Sequence, residues 1–178
     1  MTQVIDDKIS LSTLKACIQY AESAQYKPLH GAGDNRNEFK FSHYDVNDTA
    51  CLNQLYQELK QFIPENYTIH RSYINAMVYG QEDSIHSDDV EIKNGLTVIV
   101  YLTNGWFPEW FGQTVFFENA TNDRSENYVG AEITNSILPR YNRAVIFDKN
   151  IPHCVAPISK RFTGVRLTCM FKLKRVEQ

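Results

Sequence analysis

The 178-residue sequence predicts an α+β domain whose strands form a β-sandwich or jelly roll. The N-terminal part carries two apolar stripes at helical spacing, and from Tyr67 onward the apolar residues recur with a period of two. Glycine, proline and asparagine then punctuate the chain at short intervals, as they do between short antiparallel strands. We expect one domain over residues 1–178, with 1–66 as a helical support and 67–178 as the jelly-roll core.

The first predicted helix covers residues 10–25 and begins at Ser10 or Ser12, either of which is a suitable N-cap. Its apolar face consists of Leu11, Leu14, Ile18 and Ala21. The following residues, 28–48, are polar and glycine-rich, which predicts a long loop that is either a functional lid or a mobile segment.

The second predicted helix covers residues 48–63, with Asp48 or Thr49 as its N-cap and Pro64 after its end. Its apolar face consists of Leu52, Leu55, Leu59 and Phe62. Both helices are amphipathic, so each needs an apolar surface to cover, and the strands that follow have to provide it.

Eight short strands are predicted after the helices, and their apolar residues assign each strand two faces. The predicted strands are 68–79, 84–87, 96–103, 113–118, 132–138, 143–148, 153–157 and 163–173. In 96–102 and 165–171 one face is wholly apolar and suits the helices, whereas the mixed faces carry Tyr101 and Arg166 toward the interior. A buried guanidinium is costly unless it meets an anion, so the interior is predicted to hold a carboxylate ligand.

Composition excludes several classes of protein. The 18 Lys and Arg residues against 21 Asp and Glu give a net charge of −3, which argues against general nucleic-acid binding. The four cysteines have no C-x-x-C or zinc-site spacing and are expected to be reduced thiols of a cytoplasmic protein. The N-terminus lacks the pattern of a signal peptide, and no apolar run approaches the ~20 residues of a membrane span, so no membrane contact is expected.

The candidate chemistry lies in His86 and Asp88, together with the distant His153. Residues two apart on an extended strand project from the same face, so His86 and Asp88 can act together, whereas Asp89 would point to the opposite face. Two imidazoles and one carboxylate make the facial triad that holds non-haem Fe(II) in oxygenases. His-x-Asp alone is common in surface loops, so its weight depends on the segments around it.

Those segments match a family. They are His86-x-Asp88, residues 98–103 followed by Trp106, and residues 111–117, 138–147, 153–157 and 164–168. From about Tyr73 to Lys172 the chain resembles the 2-oxoglutarate- and Fe(II)-dependent dioxygenases, and among them the prolyl 4-hydroxylase-like branch. This resemblance implies a double-stranded β-helix, a cupin-like jelly-roll barrel, with the N-terminal helices packed on its major sheet.

The resemblance also implies a role for each matching residue. The iron ligands, which are also the catalytic residues, are His86, Asp88 and His153. Arg166 matches the basic residue that pairs with the far carboxylate of 2-oxoglutarate, and Tyr101 matches a tyrosine that helps to hold it. Thr97 corresponds to a small polar residue that lines the pocket, and Tyr79 to a tyrosine near the keto-acid end.

Two departures from the family pattern bear on these roles. Residues 111–114 read Phe-Gly-Gln-Thr where the family usually has Gly-Gly-Glu-Thr. Arg166 lies farther beyond His153 than the family's basic residue commonly does, so Arg161 competes for the same role. We prefer Arg166 because it lies inside a predicted strand directly after Gly164 and Val165, as the family's residue does.

The implied activity uses Fe(II), 2-oxoglutarate and O₂, with ascorbate as a candidate reductant. Oxidative decarboxylation of 2-oxoglutarate to succinate and CO₂ accompanies hydroxylation of a C–H bond, with a peptidyl proline or a small molecule as the candidate substrate. Loops 28–48, 80–85 and 104–112 are expected to choose the substrate. The aromatic residues of the last loop form either a wall of the substrate mouth or part of the core: Trp106, Phe107, Trp110 and Phe111.

Two other functions fit the same residues. One is a non-catalytic module that binds metal or 2-oxoglutarate as a sensor or interaction partner. The other is an oxygenase of the same family acting on an alkylated nucleic-acid base, which the acidic balance disfavours. The sequence does not predict the oligomeric state.

Overall fold

The computed structural model describes residues 2–29, 40–45, 49–88, 92–118, 128 and 130–176. The helices are α1 (Leu11–Ser23) and α2 (Ala50–Leu59), and α2 continues into a 3₁₀ turn (Lys60–Phe62). The strands are β1 (Thr2–Asp6), β2 (Lys27–Leu29), β3 (Lys40–Asp45), β4 (Tyr67–Met77), β5 (Gly95–Tyr101), β6 (Thr114–Glu118), β7 (Glu132–Ile137), β8 (Arg143–Asp148), β9 (His153–Val155) and β10 (Arg166–Arg175). A second 3₁₀ turn (Pro108–Trp110) precedes β6.

The strands form two antiparallel sheets that pack face to face. The larger sheet has seven strands in the order β1-β8-β5-β10-β4-β3-β2, and the smaller has three in the order β7-β6-β9. Phe116 and Ile137 of the smaller sheet pack against Tyr101, Phe147 and other inward side chains of the larger one. Backbone pairing does not join the two sheets within the described residues, so the jelly roll is open rather than a closed barrel.

The two helices cover the outer face of the larger sheet, as their apolar stripes predict. Ser10 caps α1, because its side chain accepts a hydrogen bond from the Thr13 backbone N–H. The resulting core contains helix residues such as Leu14 and Leu55 together with sheet residues such as Val98 and Phe171. The sheet therefore has a dry outer face, and its other face is left for the site.

Three strands were missed by the sequence interpretation. Strand β1 pairs with β8, and β2 and β3 extend the other edge next to β4, so the N-terminal part is not only helical. Residues 40–45 of the predicted loop 28–48 are strand, while residues 30–39 and 46–48 lie outside the described residues. These are short edge strands whose partners are distant in sequence, and the local pattern does not reveal such pairing.

Two local predictions were also wrong. The predicted strand 84–87 is only a single bridge between His86 and His153. Leu11, assigned to the apolar face of α1, is 70% exposed because it begins the helix and lies beyond the sheet surface. All four cysteines are free thiols, and no described helix is long and apolar enough to cross a membrane.

Candidate active site

Three side chains meet at the open end between the sheets. His86 and His153 face each other across an antiparallel bridge, with backbone N–H···O distances of 3.0 and 2.9 Å. The Asp88 N–H donates to the Lys149 carbonyl at 2.9 Å, which fixes the short segment after His86. One ligand atom from each of His86, Asp88 and His153 lies within 4.8 Å of the other two, so these residues can hold a metal ion.

The orientation of both histidine rings suits a metal. Nδ1 of His86 lies 2.8 Å from the Ser84 carbonyl oxygen, and Nδ1 of His153 lies 2.9 Å from the Ile151 carbonyl oxygen. A carbonyl can only accept, so each Nδ1 carries the proton and each Nε2 keeps its lone pair. Both Nε2 atoms face the Asp88 carboxylate, at 3.7 Å from Oδ1 and 3.6 Å from Oδ2. This is the usual arrangement of metal-binding histidines, whose other nitrogen donates to a protein carbonyl.

The electrostatics of the site also favour metal binding. Burial would raise the pKa of Asp88, but the positive charge of Lys172 and the interactions with His86 and His153 together outweigh burial and hold that pKa well below its usual range. Burial lowers the pKa of His153 to about 3. At neutral pH the site therefore contains an ionised carboxylate and a neutral imidazole, which are the protonation states that coordinate a metal.

Thr97 does not line the cavity. It is fully buried on β5, and its hydroxyl donates to Asp88 Oδ2 at 2.5 Å. Sequence reasoning placed Thr97 on the inner face of its strand but did not identify Asp88 as the partner of its hydroxyl, because a strand pattern does not show which loop residue packs over it.

Lys172 is the buried charged residue of the site that sequence reasoning missed most clearly. Its side chain is 2% exposed, forms an ion pair with Asp88 Oδ2 and donates to Thr97 Oγ1 at 3.3 Å. The signal was available, because Lys172 lies on the same face of β10 as Arg166. Asp83 was missed as well; its carboxylate lies 4.0 Å from His86 Nδ1 and lines the same cavity.

Arg166 lies at the start of β10 and turns its guanidinium into the cavity. Its side chain is 2% exposed, and Nε donates to the Gly112 carbonyl at 3.0 Å. Gly112 has a φ of +67°, and a Cβ there would come within 3.1 Å of Ile158 and Trp106, so glycine fits this close approach. The competing residue, Arg161, has a side chain that is 70% exposed, and it lies outside the cavity beside Glu109.

The two tyrosines assigned to co-substrate binding have different positions. The Tyr101 hydroxyl lies 2.7 Å from Thr114 Oγ1, and its ring lies 5.3 Å below the Arg166 guanidinium carbon. Burial raises the pKa of Tyr101, so its hydroxyl stays protonated and can donate or accept. Tyr79 is 59% exposed and does not line the cavity, because β4 ends at Met77 and a turn carries the next residues outward.

The cavity itself lies between Arg166 and the histidine pair. It is lined by Tyr73, Asn75, Asp83, His86, Ile99, Thr114, His153, Val155, Arg166, Thr168, Met170 and Lys172. The empty space in this cavity, including the part that is open to solvent, is about 390 Å³.

Of the four aromatic residues in the loop before β6, the two tryptophans are packed and the two phenylalanines are exposed. Trp106 and Trp110 pack against Phe162 at tilted angles, with ring centroids 4.7 and 4.8 Å away, and join the cluster that includes Val155 of the cavity wall. Phe107 and Phe111 are more than half exposed on the outside of that cluster. The tryptophans are thus part of the core, as one of the two interpretations expects, whereas a substrate mouth lined by the phenylalanines remains a prediction.

A jelly roll with two histidines and a carboxylate at its open end is typical of non-haem iron oxygenases. A model of the 2OG-Fe(II) oxygenase superfamily matches residues 72–171, more than half of the chain. The chain belongs to this superfamily. No curated protein sequence matches it.

Solved structures agree on the fold. A prolyl hydroxylase from Trichoplax adhaerens, in complex with a hypoxia inducible factor peptide fragment, has a TM-score of 0.74 at 17% identity, covering 98% of this chain and 83% of that one. A Pseudomonas putida prolyl-4-hydroxylase has a TM-score of 0.68 at 16% identity, covering 98% and 92%. HygX from Streptomyces hygroscopicus, with nickel and 2-oxoglutarate bound, has a TM-score of 0.73 at 12% identity, covering 98% and 82%. At these identities the likeness shows the fold and leaves the substrate open.

Proposed function

We propose that this protein is an Fe(II)- and 2-oxoglutarate-dependent dioxygenase that hydroxylates a C–H bond, with a peptidyl proline as its substrate. The observation that carries the proposal is the set of His86, Asp88 and His153, with both Nε2 atoms directed at one carboxylate. In this assignment the three side chains hold the iron and leave positions free for co-substrate and O₂. Bound iron supplies the O₂ activation that couples decarboxylation of 2-oxoglutarate to hydroxylation.

Arg166 is proposed to hold the far carboxylate of 2-oxoglutarate. Its Nε donates to the backbone carbonyl of Gly112, while Nη1 has a weak 3.8 Å contact with the Met77 sulfur. A guanidinium in this setting retains donors for a carboxylate and is fixed in direction by the strand that carries it. Tyr101 supports Arg166 from below through its ring.

A proline-containing peptide is proposed on two grounds. The exposed Phe107 and Phe111 adjoin a rigid aromatic cluster that reaches the cavity wall at Val155, and aromatic surfaces suit extended proline-containing segments. The Trichoplax adhaerens prolyl hydroxylase of similar fold was solved with a peptide fragment. We further propose ascorbate as an external reductant and the cytoplasm as the compartment, which suits four free thiols.

The test is Fe(II)-dependent formation of succinate from 2-oxoglutarate, with and without ascorbate, against a panel of proline-containing peptides. Mass spectrometry should find a peptide heavier by one oxygen atom. We expect His86→Ala and Asp88→Ala to abolish turnover, whereas His70→Ala, at an exposed histidine outside the site, should retain it. Retention of turnover by the first two variants would disprove the assignment. Binding of 2-oxoglutarate with no consumption on any peptide would favour the sensor function.

A further inference from the structure

Lys172 is a charged residue of the cavity to which the proposed function gives no role. It lies on the inner face of β10, 2% exposed, with its ammonium paired to Asp88 Oδ2 and also donating to Thr97 Oγ1. Its Nζ lies 6.0 Å from the centre of the Tyr73 ring. A lysine is almost never buried to this degree unless it is paired with an anion, and here the anion is one of the proposed metal ligands.

The two oxygens of Asp88 have different surroundings. Oδ2 accepts from the Thr97 hydroxyl, pairs with Lys172 and lies 3.6 Å from His153 Nε2. Oδ1 lies 3.7 Å from His86 Nε2. The lysine therefore pairs with the oxygen that faces His153, whereas Oδ1 faces His86.

A buried carboxylate requires a positive partner, and two candidates compete for this one. The Lys172 ammonium is part of the chain and is always close to Asp88, whereas a divalent metal has to be taken up from solution. A metal ion coordinated by Asp88 would lie close to the Lys172 ammonium. The two positive charges would repel each other, because a buried site screens them less than water does. The lysine thus stabilises the carboxylate in the metal-free protein and repels a metal ion that binds to the same carboxylate.

We propose that Lys172 is the resident counter-cation of Asp88: it stabilises the metal-free site and weakens its binding of divalent metal. The inference rests on the proposed role of Asp88 as a metal ligand. The Lys172 ammonium and the metal ion compete for the Asp88 carboxylate, so the effects of the two cations are coupled. Removing the lysine should therefore destabilise the metal-free protein, which loses the ion pair, and should also tighten metal binding.

The experiment compares Lys172→Met with wild type, using chelator-treated protein for thermal unfolding and Mn(II) as the metal. Free Mn(II) gives an electron paramagnetic resonance signal that is lost on binding, so affinity is read directly. We expect Lys172→Met to lower the Tm of the metal-free protein by about 10 °C, as loss of one partner of a buried ion pair does in a chain of this size. We expect its Kd for Mn(II) to fall about tenfold.

Two variants serve as controls for Lys172→Met. Lys172→Arg keeps the positive charge and should stay near wild type in both Tm and Kd. Lys174→Met makes the same change at an exposed position of the same strand and should also leave both values unchanged. A merely structural role for the Lys172 stem would instead make Lys172→Met bind Mn(II) no better than wild type.

The double variant Asp88→Asn/Lys172→Met keeps the test decisive if Lys172→Met does not fold without metal. It removes both charges, so the Tm of the metal-free protein should recover to within a few degrees of wild type. The proposal is wrong if the double variant shows no recovery, or if Lys172→Met binds Mn(II) with unchanged or lower affinity.

Failure of this inference can be separated from failure of the proposed function. If Asp88 is not a metal ligand, Asp88→Asn leaves Mn(II) binding intact, while the ion pair still appears in the Tm values. If only the inference on Lys172 is wrong, Asp88→Asn abolishes Mn(II) binding and Lys172→Met leaves it unchanged.

Discussion

The two faces of β10 carry opposite kinds of side chain. The outer face carries Leu167, Cys169, Phe171 and Leu173, and it packs under the helices. The inner face carries Arg166, Thr168, Met170 and Lys172, and it lines the cavity. One strand of alternating residues thus serves a dry core on one side and a charged site on the other.

This difference separates stability from function. Burial of apolar side chains on the outer face is favourable at roughly 25 cal/mol per Å². Burial of a guanidinium and an ammonium on the inner face is unfavourable unless each meets an anion. The outer face therefore stabilises the sheet, and the inner face uses part of that stability to hold charges ready for a ligand.

The largest expected effect is a loss of stability in the core between the helices and the outer face of the sheet. Leu55→Ala removes a fully buried side chain of α2 and should reduce the free energy of unfolding by about 4 kcal/mol, because it leaves a cavity between helix and sheet. Urea unfolding measures this loss. The folded fraction should still bind 2-oxoglutarate with wild-type affinity, measured calorimetrically with Mn(II) present.

Leu11→Ala is the matched control, since Leu11 belongs to the other helix and is largely exposed. It should change the free energy of unfolding by less than about 0.5 kcal/mol. A large loss in 2-oxoglutarate affinity of folded Leu55→Ala protein would show that the two faces are not independent.

The second largest effect is expected on the inner face, where a substitution should weaken ligand binding and leave stability intact. Arg166→Met should weaken 2-oxoglutarate binding about a hundredfold, because loss of one partner of a buried charge pair costs several kcal/mol. The free energy of unfolding should stay the same or increase, since the variant no longer buries a guanidinium. Calorimetric titration and urea unfolding of the same preparation check both parts.

Arg161→Met provides the control and decides between the two arginines that the sequence left in competition. Its side chain lies outside the cavity, so the variant should bind 2-oxoglutarate like wild type. Full affinity in Arg166→Met together with a loss in Arg161→Met would transfer the role to Arg161.

Periodicity predicted much of this arrangement. The period of two along β10 placed Arg166 inside and its neighbours under the helices, and the structure has both features. The same alternation places Lys172 on the inner face, but a charged residue near the end of a strand is expected to be exposed until its partner is known. That partner, Asp88, is distant in sequence, and only the fold brings it to Lys172.

Other features depend on where an element ends, which periodicity does not determine. Tyr79 continues the inward series of Tyr73, Asn75 and Met77, yet β4 stops at Met77 and the turn at Gly80 sends Tyr79 to the surface. Strand β1 was invisible for a related reason, because its register is set by β8 at the far end of the chain. Local pattern thus determines which face a side chain takes, and long-range pairing determines whether the strand exists.

The smallest expected effect is at that distant pairing and belongs to neither face. Asp6 on β1 accepts two hydrogen bonds from Arg143 on β8, at 2.7 and 2.9 Å, and this arginine lowers the pKa of Asp6 below its ordinary value of 3.8. A carboxyl with a lowered pKa in the folded state adds stability above pH 3.8, and this stability is lost as the pH falls through the folded value. Asp6→Asn should therefore cost about 1 kcal/mol near neutral pH, and the difference from wild type should shrink as the pH falls below 3.8. Urea midpoints along a pH series measure it, with the more exposed Asp7→Asn as the control. A difference that stays constant into acid would mean that the Asp6 side chain stabilises the pairing of β1 with β8 independently of its charge.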